Sequence, residues 1–211
     1  EKDVEGLKDI ESVKENNLKI EEKNATNEKV QARYFQINGL KDKKVQNKIN
    51  KEIEQKALNC YKDKVKNMDE IINVSINMWN ISNFANTISF ELTYFATISD
   101  YTDDIYYDSF ALNYDLNTGE QISFDKLFTP DAPIVDILRE SAYYQLASDR
   151  AELNLAGELT VLDYGNIEED VANIISLYQN KKIDKFYYNL SSIMFEYEEG
   201  KVINIDIQKY A

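Results

Sequence analysis

The sequence contains no histidine and only one cysteine among its 211 residues. The absence of histidine excludes Ser-His-Asp and Cys-His catalysis, histidine-ligated zinc and histidine pH switches. Two prolines and six glycines argue against linker arrays, and neither a phosphate loop nor a dinucleotide-binding fingerprint is present. The apolar runs are only a few residues long, far short of the roughly 20 needed to span a bilayer. We therefore expect no enzyme, no catalytic residues and no cofactor.

The composition is that of a folded but unevenly charged chain. Hydrophobic residues make up 43% and aromatic residues 12%, enough to bury a sizeable core. The net charge is −14, yet residues 1–67 hold 16 basic and 13 acidic side chains, whereas residues 68–211 hold 8 and 25. Such a field repels nucleic acid and anionic membranes and suits a cationic partner, although plain solubility also explains it.

The first part of the chain is predicted to form a hairpin followed by a long helix. Alternation at 18–20 and 30–36 around a turn at 24–27 favours the hairpin. Residues 42–67 contain neither glycine nor proline, and their apolar positions recur at helical spacing: Val45, Ile49, Ile53, Ala57 and Cys60. We expect Cys60 to be buried on the apolar face of this helix.

The clearest strands come next. Apolar and polar residues alternate through 72–79, 87–98 and 106–114, which predicts an antiparallel meander with one buried face. The turn sequence at 115–119 closes it, with Gly119 free to adopt positive φ.

The last third is predicted to contain two helices and a second small sheet. Thr129 is the expected N-cap of the first helix, with Pro130 at its first position. Asn166 is expected to open the second, where three acidic residues at 168–170 complement the helix dipole. Short strands at 186–188, 193–197 and 202–207 follow.

These elements predict an α+β fold. A long helix packs on an antiparallel meander, followed by a helix pair and a second small antiparallel sheet. We expect a weakly structured N-terminus at 1–16, a hairpin-helix-meander subdomain at 17–120 and a helical and β subdomain at 121–211, together forming one compact unit.

One segment is chemically unusual. Between two predicted strands, residues 100–108 carry four carboxylates and three tyrosines. A solvated hairpin tip, a protein-binding loop and a metal site all fit this composition, but the spacing lacks the pattern and glycine of an EF-hand loop, so we predict no metal site. Tyrosines beside charges are typical of binding surfaces. The candidate partner-binding residues are Asp100, Tyr101, Asp103, Asp104, Tyr106 and Tyr107.

A glycan-binding alternative depends on two aromatic residues, Trp79 and Phe95. Both lie on the polar faces of their predicted strands. Exposed there, they would offer rings to a sugar chain. We expect instead that both are buried under a second layer.

Three motifs resemble a family of exported bacterial domains found in RsiV-type anti-sigma factors and before the catalytic domain of PdaC-type peptidoglycan deacetylases. The most specific is NYDLNTGEQISFDKLF at 113–128. YFQINGLKDKKVQNKIN at 34–50 and the FYY and IMF segments at 186–188 and 193–195 also match. Two loops depart from the family: residues 100–108 replace a Gly-Gly-Ala-His turn, and residues 197–200 turn directly into the final strand.

The resemblance implies a fold and a class of function, but not a particular binding site, because both departures fall in loops. It implies a non-catalytic extracytoplasmic domain for sensing or binding, similar to the lysozyme-sensing domain of RsiV-type proteins. A cationic protein such as lysozyme is then the expected partner. The alternative is an accessory module that binds peptidoglycan or another cell-wall glycan. We expect the chain to be secreted or anchored to the membrane only through a segment outside this sequence.

Overall fold

The computed structural model describes residues 17–63, 71–84, 86–98, 105–156, 166–189, 191–198 and 200–210. Two strands, a helix, three strands, two helices and three strands follow one another, with short 3-10 turns between some of them. This order confirms the predicted α+β class. The described residues cluster into two compact units, the N-terminal unit up to residue 122 and the C-terminal unit from residue 123 onward.

The N-terminal unit is built on a five-stranded sheet. Its strands are β1 (Lys19–Thr26), β2 (Val30–Asn38), β3 (Asn73–Phe84), β4 (Thr87–Thr97) and β5 (Ile105–Asp115), paired in that order. The predicted hairpin and meander are confirmed as antiparallel pairs. The sequence analysis did not predict that β2 and β3 pair in parallel, with helix α1 (Lys43–Asn59) in the connection between them.

Helix α1 packs on the meander, as predicted. Its buried side chains Ile49, Ile53 and Ala57 belong to one core cluster with alternate residues of the sheet. The sheet contributes Val74, Ile76 and Met78 from β3, Ile88, Phe90, Leu92, Tyr94 and Ala96 from β4, and Leu112 and Tyr114 from β5. The two-residue period therefore selects the face that α1 covers.

Two polar side chains of α1 bind the backbone at the end of β2. The amide of Asn50 accepts from the Ile37 N–H at 2.8 Å and donates to the Ile37 carbonyl at 2.9 Å. One turn earlier, Gln46 Oε1 accepts from the N–H groups of Gly39 and Leu40. Strand β2 pairs with β3 only as far as Arg33. Beyond that point the two strands are not paired, and the side-chain amides of Asn50 and Gln46 bond to the backbone groups of β2 and the residues after it instead.

The C-terminal end of α1 differs from the prediction, whereas its N-terminal end does not. Asp42 caps the N-terminus, since its side chain accepts from the backbone N–H groups of Lys44 and Val45. The helix ends at Asn59, and Cys60–Asp63 form a 3-10 turn, so the prediction that the helix continues through 63 is wrong; residues 64–67 lie outside the described residues. Such tighter turns are common at helix ends and do not interrupt the apolar periodicity.

Cys60 is buried, as predicted, and its environment predicts a loss of stability at alkaline pH. Burial raises the pKa of the thiol from its ordinary 9.0 to about 12 and also raises the pKa of Tyr61 and Tyr114. Above about pH 9 the unfolded chain releases protons that the folded chain retains. The contribution of these groups to the free energy of unfolding should therefore be constant below about pH 9 and fall above it, by up to about 1.4 kcal/mol per pH unit for each such group.

Urea unfolding at neutral pH, about pH 9 and about pH 11 checks this prediction. Cys60→Ala is the matched control, because it removes the thiol and leaves the tyrosines. It should flatten the pH dependence in the interval nearest pH 9. An unchanged unfolding midpoint across the whole range would contradict the buried state of these groups.

The C-terminal unit combines two helices with a three-stranded sheet. Its elements are α2 (Ile134–Ala156), α3 (Ile167–Gln179), β6 (Phe186–Tyr188), β7 (Ser192–Glu198) and β8 (Lys201–Asp206). The sheet is antiparallel in the order β6-β7-β8, as predicted. No helix among the residues that the structure describes is both long and apolar enough to cross a membrane.

The structure tests the two predicted helix starts. Helix α3 opens after Asn166 with three acidic residues in its first turn, as predicted, and the Asn166 side chain caps it by accepting from the Glu168 N–H at 3.1 Å. The Thr129-Pro130 start of α2 is wrong, because residues 129–132 form a turn and the helix begins at Ile134. Pro133 explains the delay, since a proline disfavours helical conformation in the residue before it.

An aromatic cluster forms part of the interior of the C-terminal unit. Phe124 has ring contacts, at centroid distances between 5.3 and 6.3 Å, with Phe128, Tyr178, Phe186 and Phe195. At the edge of the small sheet, the Gln145 amide of α2 donates to the Val202 carbonyl and accepts from the Asn204 N–H. This side chain pairs with the open edge of β8 as a strand would.

Candidate binding surface

The structure describes two of the six predicted partner-binding residues. Tyr106 and Tyr107 lie at the start of β5, and their side chains are 44% and 53% exposed. Asp100, Tyr101, Asp103 and Asp104 lie outside the described residues. Register places the two tyrosines on opposite faces of the sheet, since Tyr106 pairs with Ala96 and Tyr107 with Phe95.

Tyr107 and Phe95 form an exposed aromatic pair. Their ring centroids are 4.8 Å apart with an interplanar angle of 41°. This distance is within the range in which aromatic rings attract one another, so the pair is held in place by its own contact as well as by the two strands. A rigid, exposed pair of rings loses little conformational entropy when a partner covers it.

More apolar surface lies at the same end of the sheet, where β3 begins, β4 ends and β5 begins. Asn73, Thr97 and Ile105 are neighbours in one row there. Ile72, directly before this row, is 45% exposed, as is Phe95. Ile72, Phe95, Tyr106 and Tyr107 together are named the sheet-end surface. Sequence periodicity placed Ile72 and Tyr106 on the face that α1 covers. It missed their exposure because periodicity gives the face of a strand but not how far along the strand the helix covers it.

The expectation that Trp79 and Phe95 are buried under a second layer is wrong. Trp79 is 42% exposed on β3, and Phe95 is similarly open on β4. Both point to the sheet face opposite α1, which is named the outer face. Their neighbours there include Ser75, Asn77 and Thr93, whose polar side chains do not require apolar cover.

The outer face is ordered in rows that run across the strands. One complete row is polar and joins Asn24, Arg33, Asn77, Thr93 and Ser109. A neighbouring row contains Ser75, Phe95 and Tyr107, and the row on the other side contains Trp79, Glu91 and Ala111. Polar groups thus lie between the Phe95–Tyr107 pair on one side and the Trp79 ring on the other.

The outer face carries few charges. Its charged side chains at the described strand positions are Glu22, Glu91, Asp115 and Arg33, and Asp115 lies at the end of β5, where its carboxylate accepts from the N–H groups of Asn117 and Thr118. Arg33 Nη1 lies 4.0 Å from Glu22 Oε2, a weak, partly exposed ion pair. This low charge contrasts with the net charge of −14 for the whole chain.

Two grooves of the C-terminal unit are further concave surfaces. One, of about 500 Å³, lies between α2 and β8 and includes Gln145, Asp206 and Tyr210. At its side, Glu140 accepts hydrogen bonds from Lys209 at 2.8 Å and Tyr210 at 2.9 Å, and these bonds lower the pKa of the Glu140 carboxyl. The other, of about 860 Å³, lies between α2 and α3 and contains Tyr143 and Val171.

No group of three or more cysteine, aspartate or glutamate side chains among the described residues is placed to hold a metal ion. Cys60 is buried, and its raised pKa keeps the thiol protonated at neutral pH. The exposed features with a definite arrangement in this part of the chain are aromatic and polar surfaces.

No protein-family model and no curated protein matches the sequence. Two solved structures are similar to this chain over most of its length. A DUF3298 family member from Bacteroides fragilis NCTC 9343 shares 14% identity over 94% of this chain and 91% of that chain, with a TM-score of 0.49. A DUF3298 family protein from Pseudomonas aeruginosa PAO1 shares 8% identity over 92% of this chain and 93% of that chain, also with a TM-score of 0.49.

Proposed function

We propose that this chain is a non-catalytic sensing or binding domain that recognises a cationic protein, with lysozyme as the first candidate. The observation that carries the proposal is the sheet-end surface, whose four large apolar side chains are exposed; two of them, Tyr106 and Tyr107, belong to the acidic segment 100–108 of the sequence. The resemblance to the lysozyme-sensing domain of RsiV-type anti-sigma factors suggests the particular partner. The complete absence of histidine supports a role without catalysis.

In this proposal the tyrosines provide the affinity and the aspartates raise the association rate. Tyr106 and Tyr107 supply contact area that a partner can desolvate, and a few buried aromatic residues carry most of the binding energy in protein interfaces. The carboxylates of Asp100, Asp103 and Asp104 attract a cationic partner before contact. Charge complementarity of this kind raises the association rate and makes it dependent on salt.

Calorimetric titration of lysozyme into the chain at low and moderate salt tests the proposal. We expect binding that weakens as salt is added and falls at least tenfold, about 1.4 kcal/mol, in Tyr106→Ala. Tyr144→Ala is the matched control, because Tyr144 is even more exposed but lies on α2 rather than at the sheet end. Replacing the three aspartates by asparagine should slow association with less effect on dissociation.

Two outcomes would contradict this proposal. Absence of binding at low salt would eliminate lysozyme as the partner. Equal affinity of the parent chain and Tyr106→Ala would show that the partner does not use the sheet-end surface.

We also propose that the domain acts outside the cytoplasmic membrane, because the resembling domains are exported. Fractionation of cells that produce the full-length protein measures this directly. Recovery in the cytosol would contradict the proposed location and with it the encounter with an extracellular partner.

A further inference from the structure

We infer that the outer face of the five-stranded sheet binds an uncharged glycan chain. This site goes beyond the proposed recognition of a protein, and it includes Trp79, which lies away from the sheet-end surface. Three observations carry the inference: the exposed aromatic rings, the polar row between them and the low charge of the face.

The aromatic rings are placed to contact successive parts of an extended ligand. Phe95 and Tyr107 are neighbours on β4 and β5, and Trp79 pairs with Glu91, four residues before Phe95 on β4. At the rise of a β-strand this separation is about 13 Å along the sheet. Aromatic side chains offer flat apolar surfaces, and pyranose rings have C–H faces that stack on them. Strands hold these rings at a fixed spacing, which suits a polymer with a regular repeat.

The row between the rings presents polar side chains to solvent. The Arg33 side chain is 42% exposed, Asn24 is exposed and Asn77 is half-buried. Asn77 and Ser109 add an amide and a hydroxyl to the same row. Hydroxyl groups of a sugar both donate and accept, as this mixed row requires.

The outer face shares Phe95 and Tyr107 with the sheet-end surface, but its low charge favours a different ligand. Only Glu22, Glu91, Asp115 and Arg33 are charged at its described strand positions; Arg33 lies near Glu22, and Asp115 lies at the far end of β5. A cationic protein gains little attraction from such a face. An uncharged glycan needs no charge complement and loses no affinity when salt screens the acidic remainder of the chain. Binding that does not depend on salt is therefore the distinguishing property of this site.

The test uses the only tryptophan of the chain as its reporter. Soluble chitin hexasaccharide is titrated while Trp79 emission is recorded, and sedimentation with insoluble chitin, an uncharged polymer, measures retention at low and high salt. We expect a saturable change in emission and salt-insensitive retention that falls at least tenfold in Trp79→Ala and in Phe95→Ala. Trp79→Phe should restore most of the retention, because it keeps a ring at the same place.

Controls keep this inference apart from the proposed function. Tyr144→Ala should bind glycan like the parent chain, and Tyr106→Ala should lose lysozyme but keep glycan, because Tyr106 lies on the opposite face from Trp79. Circular dichroism confirms that each variant is folded. Unchanged emission together with no retention would overturn the glycan site. So would retention that high salt abolishes and Trp79→Ala leaves intact, or self-association through Trp79 without glycan binding.

Discussion

Ile49→Asp is expected to unfold the N-terminal unit. Ile49 lies on α1 with no exposed surface and shares the core cluster with β3, β4 and β5. An aspartate there either keeps an unpaired charge out of water or must take up a proton, and both cost several kcal/mol. Since an ordinary domain is stable by only about 5–15 kcal/mol, one such change removes a large part of the total.

The matched control for this variant is Asn47→Asp, which adds the same charge two residues earlier on the exposed side of α1. Its free energy of unfolding should change by no more than about 0.5 kcal/mol. Phe90→Asp repeats the test from the sheet side, because Phe90 is equally buried on β4. Thermal unfolding followed by circular dichroism measures all three variants. If Ile49→Asp or Phe90→Asp melted like the parent chain, the assignment of the core would be incorrect.

Local periodicity predicted the secondary structure because each element buries one face. Val74, Ile76 and Met78 alternate with polar residues, and all three are buried. The pairing of β2 with β3 was not predictable in the same way. Val30 and Val74 are partners, but they are separated by α1 and its connections, and no local pattern records a contact between residues so far apart.

The exposure of the candidate surface residues could not be predicted from the sequence pattern. The alternation of Trp79 with buried neighbours placed its ring opposite α1, but it did not determine whether a further layer covers that ring. Exposure depends on the extent of the covering elements, which is a property of the whole fold. The neighbouring Ser75, Asn77 and Thr93 were the available signal, because a layer packed against them would have to satisfy their polar groups.

Phe124→Ala is expected to destabilise the C-terminal unit by about 3–5 kcal/mol, the range found when a buried phenylalanine is truncated. The Phe124 side chain is buried and is the common member of four aromatic ring contacts. Removing it leaves Phe128, Tyr178, Phe186 and Phe195 facing a cavity and forfeits the edge-on ring attraction as well as the buried area. Urea unfolding followed by circular dichroism should show a lower midpoint.

Two controls distinguish the loss of packing from the loss of any aromatic residue. Phe124→Leu refills part of the cavity, so its loss of stability should be clearly smaller than that of Phe124→Ala. Tyr144→Ala removes a ring of similar size from an exposed position on α2 and should change the free energy of unfolding by less than about 0.5 kcal/mol. Equal effects of Phe124→Ala and Tyr144→Ala would contradict the role of Phe124 in this interior. The expected order follows from cavity formation, since only at Phe124 do surrounding rings lose contact atoms that water cannot replace.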